Sequence, residues 1–87
     1  MSRYQVTFKS SAAKEFRKLS LSIKKRTQDA INQLADEPRP SGIVKLKGND
    51  NLFRIRVGEY RIIYTIDDAN KKLSITRIRH RRDVYKD

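Results

Sequence analysis

The sequence predicts an α+β protein with two N-terminal antiparallel helices packed on one face of a small, mostly antiparallel β-sheet, in the order β-α-α-β-β-β. Three observations carry that prediction. Apolar residues between Ala12 and Leu34 recur at helical spacing. From Phe53 onward, apolar and polar residues alternate in runs separated by turn signals. The chain has 87 residues, so a single domain spanning 1–87 is expected. A domain of this size buries only roughly 60–65% of its unfolded surface, which leaves a small core and places function on a face, groove or edge.

Arg3 to Lys9 reads as a short strand, with Tyr4, Val6 and Phe8 on one face. Ser10-Ser11 offers an N-terminal cap for a helix from Ala12 to Leu19, whose apolar side carries Ala12, Phe16 and Leu19. Ser20 or Ser22 caps a second helix through Ile23, Thr27, Ala30, Ile31 and Leu34, with Lys24, Lys25, Arg26 and Asp29 on the opposite face. Pro38 and Pro40 end it, because proline lacks the N–H and crowds the preceding turn. A short link between the helices favours an antiparallel hairpin. Val44 to Leu46 reads as a short edge strand and Gly48-Asn49-Asp50-Asn51 as a turn. A β-hairpin over Phe53–Ile66 follows, then a turn at Asp67-Asp68-Ala69-Asn70, a strand from Leu73 to Arg79 and a short tail.

The hairpin turns at Gly58-Glu59, and a two-residue turn fixes its register. Val57 pairs with Tyr60, Arg56 with Arg61, Ile55 with Ile62 and Arg54 with Ile63. Phe53, Ile55, Val57, Tyr60, Ile62 and Tyr64 share the apolar face. Arg54 and Arg56 take the other, with Arg61 directly opposite Arg56. Like charges facing each other across a strand pair are unfavourable. An anionic ligand, phosphate above all, accounts for such an arrangement; two side chains splayed into solvent is the alternative.

Charge points the same way. The net charge is +11, from 21 Lys and Arg against 10 Asp and Glu, and both halves of the chain carry it. Such an excess draws polyanions: nucleic acid, an anionic membrane surface or an acidic protein. With no cysteine and one histidine, disulfides, thiolate metal sites and multi-histidine metal sites are excluded. No run approaches the ~20 apolar residues of a membrane span. The expected setting is cytoplasmic, with no cofactor, no metal and no membrane. A second basic cluster, Arg77-Ile78-Arg79-His80-Arg81-Arg82, ends near Tyr85. If its strand pairs beside the hairpin, both clusters converge on one groove. A neutral His80 among arginines could take a proton from a ribose 2′-hydroxyl, and Tyr85 could exchange a proton or stack on a base. An exposed histidine and an aromatic anchor are the plain alternatives. Glu59, at the turn, could pair with an arginine.

Taken in order, Phe8-x-x-x-Ala12-x-Lys14-x-Phe16-x-Lys18-Leu19, Lys45-Leu46-Lys47-Gly48, Phe53-Arg54-Ile55-Arg56, Gly58-Glu59-Tyr60-Arg61-Ile62-Ile63-Tyr64 and His80-Arg81-Arg82-Asp83-Val84-Tyr85 resemble the RelE/ParE family of toxins from toxin–antitoxin pairs, and specifically the RelE branch. The resemblance covers nearly the whole chain. It implies a ribosome-dependent, metal-independent endoribonuclease that cuts messenger RNA in the A site by 2′-hydroxyl attack. It also implies a cognate antitoxin and an oligomeric complex able to bind operator DNA through that antitoxin. By position it implies catalytic roles for Arg54, Arg56, Arg61, Tyr85 and one of Arg79 or Arg81, and related sequences with the same ending add His80; Lys45, Lys47, Arg77 and Arg82 are expected to bind RNA. Where the family carries a lysine proposed as general base, this chain has arginine, which keeps its proton, so that role shifts toward His80 or Tyr85. The rival expectations are a ParE-like poison of DNA gyrase and a non-catalytic nucleic-acid-binding module.

Overall fold

In the computed structural model, which describes residues 3–46 and 51–84, the chain runs β1 (Gln5–Phe8), α1 (Ser10–Arg17), α2 (Leu21–Asp36), β2 (Val44–Lys45), β3 (Leu52–Val57), β4 (Tyr60–Asp67), β5 (Lys72–His80) and α3 (Arg81–Val84). The strands form one sheet in the order β1-β5-β4-β3-β2, antiparallel throughout except that β1 runs parallel to β5. This is the α+β class read from the sequence, with β2 present as the short edge strand.

Alternation along the strands drives the packing. Phe53 and Val57 of β3, Ile62, Tyr64 and Ile66 of β4, and Leu73, Ile75 and Ile78 of β5 are buried in one cluster with Ala12, Leu19, Ile31 and Leu34 from the helical segment. Each fully buried Val, Leu, Ile or Phe among them contributes roughly 1.5–3 kcal/mol by leaving water. Tyr4, Val6 and Phe8 flank the cluster as the β1 alternation requires. Tyr64 is fully buried, yet its hydroxyl donates to the Pro38 carbonyl at 2.8 Å, so the polar end of a core aromatic fixes the segment that leaves α2.

Two details differ from expectation. The Ser10-Ser11 cap does not form: α1 starts at Ser10, its N-cap is Lys9 and no side chain caps it. Ser11 Oγ instead donates to the Thr76 carbonyl at 3.1 Å. The reason is topological. β1 pairs with β5 only as far as Ile75, and α1 then lies along the β5 edge that β1 leaves bare. The Ser20 cap does form, with its hydroxyl accepting from the Ile23 N–H at 3.5 Å.

The second detail is a bulge in β5. Ile63 pairs with Arg77 but the adjacent Tyr64 pairs with Ile75, so Thr76 is the extra residue. Its hydroxyl donates to the Ile63 carbonyl at 3.0 Å. A bulge switches which side successive residues face. Leu73 and Ile75 point into the core before it, and Ile78 points into the core after it. Arg77 and Arg79 are thereby turned onto the face that the helices leave open.

Candidate nucleic-acid interface

The β3–β4 register is the one expected: Arg54 opposite Ile63, Arg56 opposite Arg61 and Val57 opposite Tyr60. Gly58 supplies φ +60° at the first turn position, and Glu59 does not share it, as in a hairpin turn that begins with glycine. A Cβ at Gly58 would lie 3.2 Å from the Arg26 guanidinium, so α2 also packs close against this turn. On the far side of β4, Arg61 pairs with Arg79 and Ile63 with Arg77. Three neighbouring strands therefore place Arg56, Arg61 and Arg79 in one row, and Arg54, Ile63 and Arg77 in the next. With strands about 4.8 Å apart, the backbone positions of the first row span about 10 Å, within reach of a single phosphate for side chains as long as arginine. Arg56 is exposed, while Arg54, Arg61 and Arg79 are half-buried. The Nε of Arg54 is buried and makes no hydrogen bond, a donor without an acceptor beside the row.

The remaining site expectations fare differently. Arg81 leaves the patch: its Nη1 meets Glu59 at 3.4 Å and its backbone N–H donates to the Glu59 carbonyl at 2.7 Å. Of the two alternatives, Arg79 is the one beside Arg61. Arg77 stands on the open face by register, but its Nε and Nη2 turn back to Glu15 at 3.2 and 3.0 Å. Arg82 is exposed at the start of α3. Lys45 pairs with Phe53, whose side chain is in the core, so it shares the helix-side face at the sheet edge, away from the arginines. Lys47 and Tyr85 lie outside the described residues.

His80 requires a correction. It does not join the arginines. It pairs with Tyr60 on the helix side, where the two rings meet edge to face with centroids 5.1 Å apart, and its Nδ1 accepts the Arg82 N–H at 3.2 Å. The alternation that turns Arg79 outward turns the next residue inward. His80 borders a recess of about 170 Å³ between α1 and the β4–β5 end. A wider recess of about 600 Å³ lies at the other end of the sheet, beside Thr65 and Asp67, away from the arginine row.

Glu15 is the residue that the sequence did not flag. Its Oε2 holds Arg77 and its Oε1 accepts the Ile78 N–H at 2.8 Å, capping the bare β5 edge. Its partners are about sixty positions away in the chain, and no local pattern announces them. Among the described residues, no group of three or more His, Cys, Asp or Glu stands together to hold a metal, and no helix is long and apolar enough to cross a membrane.

Comparison with known proteins identifies the family and the fold. The family model for the ParE toxin of the type II toxin–antitoxin system parDE matches residues 6–85. A putative RelE-like toxin protein from Escherichia coli is 32% identical over 95% of this chain and 90% of its own length. The toxin in the archaeal RelE–RelB complex from Pyrococcus horikoshii is 27% identical, covers 91% of this chain and 96% of its own, and superposes with a TM-score of 0.81. A chain of the toxin–antitoxin complex RelBE2 from Mycobacterium tuberculosis is 30% identical, covers 90% of this chain and 98% of its own, and gives a TM-score of 0.78.

Proposed function

Since the chain belongs to the RelE/ParE family of toxins of type II toxin–antitoxin systems, we propose that it is an endoribonuclease that cuts messenger RNA in the ribosomal A site. The observation that carries this reading is the row Arg56–Arg61–Arg79 on the face opposite the helices. In the proposed reaction the ribose 2′-oxygen forms a bond to the adjacent phosphorus. The bond from phosphorus to the 5′-oxygen breaks, and a 2′,3′-cyclic phosphate remains. The proton of the 2′-hydroxyl goes to a base, and the departing 5′-oxygen takes one up. Arg56 and Arg61 bind the scissile phosphate, Arg79 faces the charge that builds on its oxygens, and Arg54 flanks them. None of these arginines takes the proton, because a guanidinium stays charged. With His80 turned to the helix side, proton transfer falls to Tyr85. A row strong in charge and poor in proton carriers depends on substrate geometry, which the ribosome provides.

The partner that restrains this activity is a cognate antitoxin. The relatives from Pyrococcus horikoshii and Mycobacterium tuberculosis were solved in complexes with one. For a toxin of net charge +11, an acidic or amphipathic segment laid over the arginine row is the natural cover.

The test is a translation reaction read by toe-printing. The parent should produce codon-level cuts only when ribosomes are present. Arg61→Ala should cut about 10²–10³-fold more slowly while still unfolding in one cooperative transition at or above the parent's melting temperature. Undiminished cutting by Arg61→Ala would remove the row from the mechanism. One observation favours a second reading: the matching family model is the one described for ParE. If the chain poisons DNA gyrase instead, DNA breaks will appear while the message stays intact.

A further inference from the structure

The open face presents more arginine than the proposed reaction uses, and one of these arginines is held back. By register Arg77 belongs to the row of Arg54 and Ile63, next to Arg61 and Arg79. Its guanidinium nevertheless turns toward α1, where a single Glu15 oxygen accepts from Nε at 3.2 Å and from Nη2 at 3.0 Å. The other Glu15 oxygen accepts the Ile78 N–H at 2.8 Å. Glu15 is thus anchored to the β5 backbone while it holds the arginine, and its side chain is only 24% exposed. A carboxylate with three donors on it is a strong, directional acceptor. It offsets the charge of Arg77 and directs Nε and Nη2 toward α1, away from the face where RNA phosphates would lie.

We propose that Glu15 sets the boundary of the RNA footprint by masking Arg77, so that phosphate contact along β5 stops at Arg79. This rests on the reading of the open face as an RNA surface and makes Glu15 a positioning residue rather than a catalytic one. The consequence is unusual for the loss of an ion pair. Removing the acid creates a phosphate contact, so affinity for single-stranded RNA rises and becomes more sensitive to salt. A purely structural Glu15 would give the opposite result, a looser β5 edge and weaker binding.

The experiment measures binding of a labelled single-stranded oligouridylate to the full chain across a salt series. For single strands the slope of log K against log[salt] steepens by about 0.7 for each phosphate neutralised. Glu15→Gln keeps an oxygen for the Ile78 N–H and gives up the charge. Its slope should be steeper than the parent's by about 0.7. Arg77→Gln alone should leave the slope unchanged, because Arg77 is already masked, and Glu15→Gln combined with Arg77→Gln should return it to the parent value. An unchanged slope in Glu15→Gln overturns the proposal. So does equal steepening in the double variant, which would mean that Arg77 is not the contact released, and so does a flattened slope in Arg77→Gln, which would mean that Arg77 already binds RNA or that net charge alone sets the slope. Arg61→Ala in the same series judges the underlying reading separately. If it fails to flatten the slope, the open face is not the RNA surface, whatever the Glu15 pair shows.

Discussion

At Asp68 one carboxylate joins three segments of chain. It accepts the Tyr4 hydroxyl from the N-terminal stretch and takes both Arg39 terminal nitrogens, at 3.2 and 2.9 Å, from the segment after α2. Arg39 also lies 5.5 Å from the centre of the Phe53 ring, and Lys71 sits 5.0 Å from that of Tyr4. The hydrogen bonds from Arg39, then those from Tyr4, hold the Asp68 carboxyl well below the usual carboxylate range, at about 2. A folded-state pKa below the unfolded one means that the stabilisation is complete above the unfolded value and disappears as pH falls through the folded one. The melting temperature of Asp68→Asn should therefore lie below the parent's by a constant margin above pH ~5, and the gap should close as pH approaches 2. Circular-dichroism melts across that range check it; an equal gap at the lowest pH would mean the clamp contributes nothing through its charge. His80 marks where single residues were misread. In the linear string it sits among four arginines, which suggested a shared site. The pleat sorts neighbours to opposite sides, so adjacency in sequence was evidence against a common site. Glu15 could not be found in advance, since its role exists only once α1 lies along β5.

At the level of elements, the β3–β4 hairpin was fully legible, because a two-residue turn sets the register and the alternation sets the faces. The bulge in β5 left a trace too. Its apolar residues run Leu73, Ile75 and then Ile78, a change of parity that only an extra residue reconciles with one buried face. Without that residue, Arg77 and Arg79 would share the side of Leu73 and Ile75, in the core. The bulge is therefore the element-scale device that builds the arginine row. The row works against the sheet that carries it, since like charges directly opposite each other cost about 0.2–1 kcal/mol. Arg56→Thr, a strand-favouring residue at an exposed position, should raise unfolding free energy by roughly that amount while slowing cleavage. Urea denaturation beside the toe-printing assay tests both halves. A destabilised variant would show that Arg56 supports the fold.

For the whole molecule, a net charge of +11 on 87 residues opposes compactness everywhere, and most strongly where arginines align. A bound polyanion relieves that repulsion and stabilises the folded form to the extent that the aligned arginines bind it more tightly than the unfolded chain does. Heparin should raise the melting temperature of the parent, with a stabilisation of about 2.7 kcal/mol at a hundredfold excess over its dissociation constant. The rise should shrink in Arg61→Ala and with added salt; a rise indifferent to both would place the polyanion elsewhere on the surface. The overall charge and the two-layer plan were legible from composition and periodicity. The split of the basic cluster into an outward Arg79, a Glu59-bound Arg81 and an inward His80 needed coordinates. One topological feature also has a temporal meaning. The first strand, β1, has the last strand, β5, as its sheet partner, with Gln5 beside Lys72, and β5 also supplies Arg79. A chain growing from its N-terminus thus holds an orphaned first strand and an unfinished cradle until β5 has emerged to complete both.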